Sequence, residues 1–263
     1  MKPGEAFEIR CYNYLTKYYG SKNSTFYHEG GMDSTKSDIA VLKNGTIDYY
    51  IEVKDSDAQS GQFVLSPDIT TQTFVFSPRN RSQPNELTQI MIDYMNNNFT
   101  LFNNAGTAGQ VLKINSSIFS NWIIDHYMKK NVKYIMSYKN SFVIFPIQKF
   151  ASYFDIIAKY RIKKSGSTEP AQKDHPYVIA AVKSSYPSAS FSTDGKKLFA
   201  TISGVLSNDR FTLGNYTYYL SKRLDNLYEI RKLSNTYGMN VIFEIKLKKS
   251  QDLDDLNDFI SQL

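Results

Sequence analysis

One cysteine, Cys11, stands in 263 residues, so the chain has neither a disulfide framework nor a cysteine-based zinc site open to it. Its three histidines, His28, His126 and His175, are too scattered to make a sequence-local metal motif. No apolar run approaches the length of a membrane span, and the opening MKPGEAFEIR lacks the apolar stretch of a secretory leader. Internal repeats and long low-complexity linkers are missing too. These absences lead us to expect a soluble, intracellular protein of the cytoplasm.

What is present is a core-forming composition, 41% apolar and 14% aromatic, on a chain long enough for one large domain or two small ones. The net charge is +6, which favours a polyanionic partner. Its distribution says more. Residues 151 to 250 hold 16 Lys and Arg against 8 Asp and Glu, whereas residues 1 to 150 hold 15 against 13. The positive field therefore belongs mostly to the second half.

Periodicity organises the first half as α/β. Residues 4 to 19 predict an amphipathic helix stopped by Gly20, with Ala6, Phe7, Cys11, Leu15, Tyr18 and Tyr19 on one stripe and Glu8 at its border. A short strand at 24–28 and a glycine-rich loop at 29–34 follow. After Lys54 we expect a polar loop or short helix start around 58–62, a strand at 72–76, and an exposed basic connection holding Arg79 and Arg81. Helices are expected at 85–102, capped by Asn85, and at 116–130. From about 132 the pattern turns to short strands, 177–183 among them, and the tail 251–263 reads as a packing helix. The expected division is a catalytic core over 1–150 and a β-rich region over 151–263.

The most informative stretch is Ser37 to Lys54, SDIAVLKNGTIDYYIEVK. Asn44-Gly45 between β-branched and aromatic runs is a strong hairpin signal. In the second strand Glu52 and Lys54 are two apart, so both leave the same face, and the hairpin can bring Asp38 beside them. Two carboxylates and an ammonium then share one surface. Carboxylates on adjacent strands are suitable oxygen ligands for Mg²⁺, and a neighbouring Lys can orient or help deprotonate a water and offset negative charge.

Asp38 followed after fourteen residues by Glu52-Val53-Lys54 resembles the PD-(D/E)XK nucleases, and most nearly type II restriction endonucleases. Gly4-Glu5-Ala6-Phe7-Glu8 resembles the Gly-X-X-X-Glu helix of Holliday-junction resolvases and related restriction enzymes, which makes Glu8 the further catalytic candidate. Ser37 stands where the family usually has Pro. The resemblance spans roughly residues 4 to 65. It implies a restriction-endonuclease-like mixed sheet flanked by helices, Mg²⁺ on Asp38 and Glu52, water handling by Lys54, and double-stranded DNA as substrate with 5′-phosphate products. It further implies a homodimer, and a cognate DNA methyltransferase as a genetic partner.

Gln59 and Gln62, in a segment that also looks like the region after the catalytic Lys in some restriction enzymes, are candidates to position DNA or a water; a capped polar loop is their alternative. In the basic half Arg161, Lys163, Lys164 and Ser165 form a strand end and turn able to reach phosphates and base edges. Arg79 and Arg81 join them as DNA-binding candidates. The competing readings are a resolvase or phage-defence effector nuclease, and a DNA-binding module whose acidic cluster is structural.

Overall fold

The computed structural model describes residues 3–21, 24–29, 37–164, 166–204, 209–234 and 237–263. Helix α1 (Pro3–Tyr19) is followed by strands β1 (Ser24–His28), β2 (Ile39–Lys43), β3 (Thr46–Val53), β4 (Asp57–Asp68) and β5 (Thr73–Phe76). Next come α2 (Glu86–Asn96), α3 (Phe99–Asn103), β6 (Gln110–Val111), α4 (Ser116–Met128), β7 (Val132–Lys139), β8 (Ser141–Pro146), α5 (Phe150–Tyr153) and β9 (Phe154–Lys164). The chain continues through β10 (Ser167–Thr168), α6 (His175–Ser185), β11 (Ser190–Asp194), β12 (Lys197–Thr201), β13 (Arg210–Leu213), β14 (Tyr216–Lys222) and β15 (Leu227–Leu233). It closes on β16 (Tyr237–Leu247) and α7 (Leu253–Ser261). No helix among the described residues is long and apolar enough to cross a membrane.

Two compact units result, one of residues 1–161 with 239–263 and one of residues 162–238. The chain thus leaves the first unit eleven residues beyond the expected division at 150 and returns to it for β16 and α7. The first unit holds two sheets. In the order β1-β2-β3-β7-β8 only β3 and β7 run parallel. α1 and α7 close over this sheet, where Cys11, Leu15, Ile39, Val41, Tyr49, Ile51, Met136 and Phe259 form one core. α7 is tied down by polar contacts as well: the buried Asp255 carboxylate accepts from the Tyr153 hydroxyl and pairs with Lys149, and the Tyr134 hydroxyl donates to Asp258 at 2.7 Å.

The second sheet runs β5-β4-β16-β9-β6, so strands from residues 57–76 pair with one from the chain's end. Here the expectation of a loop or helix start at 58–62 is corrected. The segment lies inside β4, with Ser60, Phe63 and Leu65 buried. Its hydrogen-bonding partner, Asn240 to Lys246, lies some 180 residues away, and a local reading of polar residues has no access to it. The expected helix 85–102 is likewise interrupted. Asn85 does cap α2, accepting from Thr88 N–H at 2.9 Å, but Asn97 and Asn98 end that helix before the short α3 begins.

The second unit carries the third sheet, β11-β12-β15-β14-β13 with β10 on β15. Leu198, Ala200, Tyr218, Leu220, Tyr228 and Ile230 pack with Val178 and Val182 of α6. The expected strand at 177–183 is therefore a helix. Pro176 sits in its first turn, where a missing N–H costs nothing, and Val178 and Val182, four apart, are its buried pair. A short apolar run is compatible with either period, and packing decided it.

Candidate active site

The hairpin forms as its sequence demands. Asn44 and Gly45 take φ of 50° and 80°, the positive-φ pair of a tight two-residue turn, and Ile39 faces Ile51 across the ladder. Asp38 stands just before β2. Its Oδ2 accepts the Val53 N–H at 2.8 Å, and its backbone carbonyl accepts the Glu29 N–H at 2.9 Å. The carboxylate is thereby fastened to the strand that bears Glu52 and Lys54. On the other side of β3 the parallel strand β7 sets the register, Glu52 opposite Ile135, and Lys54 N–H donates to the Met136 carbonyl at 2.9 Å.

Glu52 is only 6% exposed, and Lys54 donates to its Oε1 at 2.6 Å from a side chain that is 16% exposed. The electrostatics follow from this crowding. Burial, then the Glu52 charge, with a smaller contribution from Glu8, push the Asp38 carboxyl up to about 7, against the opposing pull of Lys54 and the Val53 N–H. Burial alone would lower the Lys54 ammonium; Glu52, Tyr127 and Asp38 outweigh it and hold it well above its usual value. Lys54 is thus an ammonium at neutral pH, a donor and a cation with no lone pair to accept a proton.

Glu8, on α1, lies within the field of Asp38, and its Oε2 is 3.2 Å from Nε2 of His28 on β1. Glu8 is a candidate by its helical spacing and His28 stands in no sequence-local metal motif, yet the fold sets the two side by side. Among the described residues no three His, Cys, Asp or Glu side chains form a ready-made metal cage. The donor set is a pair of carboxylates, Asp38 and Glu52, which suits a hard cation such as Mg²⁺ that keeps several waters and relies on one or two carboxylates plus a substrate phosphate.

The DNA-binding candidates separate. Gln59 and Gln62 leave β4 on its exposed side, Gln59 donating to Gln62 Oε1 at 3.2 Å. Arg161 of β9 donates to Gln59 Oε1 at 3.4 Å, and Asn240 of β16 donates to Gln62 Oε1 at 3.2 Å. Three strands therefore contribute to one row of amides ending in a guanidinium. Asn240 was missed because nothing near it in sequence marks it; only β16 pairing with β4 brings it there.

Arg79 and Arg81 are exposed on a loop whose core residue, Asn80, exchanges two hydrogen bonds of 2.8 Å with the backbone of Val64. Lys163 is exposed at the end of β9. Ser165 and the side chain of Lys164 lie outside the described residues.

Between Gln59 and Gln62 the strand bends at Gly61, φ +85°, where a Cβ would meet the Trp122 ring at 2.9 Å. Gly61→Ala is therefore expected to cost about 1–3 kcal/mol, from strained backbone together with the displaced indole, read as a lower urea midpoint with an unchanged slope. Trp122 is not free to yield. It stacks on Phe243 at 4.6 Å and on His126 at 5.0 Å, and its indole N–H donates to Thr88 Oγ1 at 3.0 Å.

The mixed sheet with helices on it, carrying an Asp38, Glu52 and Lys54 triad at the strand ends, defines a protein of restriction-endonuclease-like fold. A solved structure of HhaI endonuclease in complex with DNA at pH 6.0 is 35% identical, with a TM-score of 0.81 over 98% of this chain and 96% of its own. The chain belongs to the HhaI endonuclease family. No family model and no curated protein sequence matches it.

Proposed function

We propose that the chain is a Mg²⁺-dependent, sequence-specific endonuclease of PD-(D/E)XK type that hydrolyses double-stranded DNA to 5′-phosphate ends. The observation that carries this reading is the convergence of Asp38, Glu52 and Lys54 at one end of adjacent strands, in a chain related along 98% of its length to an endonuclease.

Asp38 and Glu52 would hold the cation, with Glu8 completing the acidic surround. A bound Mg²⁺ supplies Lewis-acid polarisation of a phosphate oxygen and a more acidic water. The chain's own residues do the rest. Lys54, held as an ammonium against Glu52, orients the attacking water by donation and offsets charge that grows on the phosphoryl oxygens. The Val53 N–H keeps one Asp38 oxygen engaged, which fixes the direction of the other.

Base reading belongs to the row Arg161, Gln59, Gln62 and Asn240, because amides and a guanidinium prearranged on a sheet match base-edge donors and acceptors. Lys163, Lys164, Arg79 and Arg81 are the candidates for phosphate contacts that place a duplex without reading it, and Ser165 is a further candidate for base edges.

Digestion of a fully sequenced, methyl-free DNA tests the proposal. Discrete fragments with 5′-phosphates are expected in Mg²⁺ and none in excess EDTA, with binding that weakens steeply as salt rises. Absence of cutting across varied sequences would leave a DNA-binding module, and cuts that follow branch structure rather than sequence would make the protein a resolvase. The described residues carry one such site, so an accumulating nicked circle separates two successive events from paired cutting by two copies.

A further inference from the structure

Lys54 is nearly buried yet has three N–H groups to satisfy, and Glu52 Oε1 takes one of them. The next polar group facing it comes from α4. The ring of the buried Tyr127 lies with its centroid 5.5 Å from Lys54 Nζ, and its hydroxyl is 3.4 Å from the Ser60 hydroxyl. Ser60 is on β4 between Gln59 and Gln62, and its side chain is buried while theirs are exposed. Thus the strand that presents the amide row on its outer side touches, from its inner side, the hydroxyl of the ring that borders the lysine.

The rest of α4 keeps Tyr127 in place. Trp122, one turn earlier, is clamped by Phe243, Thr88 and the bare Cα of Gly61, and its stacked partner His126 is itself mostly enclosed. A tyrosine hydroxyl buried in such surroundings needs polar company; among the described residues Ser60 lies within hydrogen-bond reach of it, and the Lys54 ammonium lies beside the same ring. A phenylalanine would fill the same volume without that function.

We infer that Tyr127 is the positioning residue of Lys54, its hydroxyl fixing the ammonium against Glu52, and that Ser60 acts through Tyr127. The inference rests on the endonuclease reading above. It assigns a role in the reaction to a residue seventy-three positions away in sequence, on an element that carries none of the acidic motif.

The test is single-turnover cleavage at saturating Mg²⁺ and DNA. Tyr127→Phe is expected to be about tenfold slower, the loss of one hydrogen bond to a charged group, with KM for DNA, the half-saturating Mg²⁺ concentration and Tm all close to wild type. Ser60→Ala should be slower by a smaller factor, and the double variant no slower than Tyr127→Phe, since both act at one point. Wild-type speed in Tyr127→Phe overturns the inference. So does a rate loss matched by losses in Tm and DNA affinity, or a double variant in which the two effects multiply. A wild-type protein that cuts nothing overturns the endonuclease reading instead.

Discussion

Lys54→Ala is expected to slow DNA cleavage by about a thousandfold or more while changing DNA affinity by no more than a few-fold. The rate effect follows from what the side chain is. As an ammonium beside Glu52 it supplies a donor and a positive charge where phosphoryl charge develops, and the loss of such a group typically removes a factor of about 10²–10⁴. Lys54→Arg should recover little of it. The longer planar fork does not fit a side-chain site only 16% exposed and bounded by Glu52 and Tyr127.

A second consequence separates this residue from a surface cation. With Lys54 gone, Glu52 is left buried next to Asp38 with no ion-pair partner among the described residues, and breaking a buried pair costs roughly 3–5 kcal/mol. Lys54→Ala should thus unfold at clearly lower urea in EDTA than in Mg²⁺. Equal cleavage by the variant and wild type would remove Lys54 from the reaction, and an EDTA midpoint equal to wild type would show that its charge is not what balances the site.

The parts of this site that could be read from sequence are those made by neighbours. Asp38, Glu52 and Lys54 lie within seventeen residues on a hairpin whose turn and alternation announce themselves, and the fold brings them together as expected. Glu8 was legible because helical spacing put it at the edge of a stripe that really is buried, on Cys11 and Leu15. Tyr127, Ser60 and Asn240 were not legible. Each meets its partner on an element far away in sequence, and each looks alone like one more tyrosine, serine or asparagine.

The same physics explains the misread elements. β4 is polar because one side of it is exposed, and its strand conformation is enforced by β16 rather than by its own propensity. In α6 the residues Tyr177 to Lys183 satisfy a strand pattern, but Pro176 and the Val178 and Val182 pair satisfy a helix better once a sheet is there to cover. Local pattern proposes, and a non-local partner disposes.

Asp38→Asn is expected to abolish cleavage and yet to make the metal-free protein more stable than wild type at pH 8. Asparagine keeps an oxygen to accept the Val53 N–H but cannot carry the charge that the site concentrates there. In wild type the folded Asp38 titrates near 7, against 3.8 when unexposed to the fold. The folded state therefore holds the proton more tightly, so its contribution is fully present below about pH 4 and is lost as pH rises through 7. That loss is on the order of 4 kcal/mol between the two limits. In EDTA the variant should accordingly match wild type at or below about pH 4 and exceed it progressively up to pH 8. Mg²⁺ should restore wild type at pH 8 and do little for the variant, because a ligand that binds the folded state alone stabilises it. Urea unfolding of both proteins at pH 4 and pH 8, each with EDTA and with Mg²⁺, measures all four terms. A stability difference between the two that does not change with pH would mean that Asp38 carries no electrostatic strain. The acidic pair would then lack the feature that makes a cation welcome between Asp38 and Glu52.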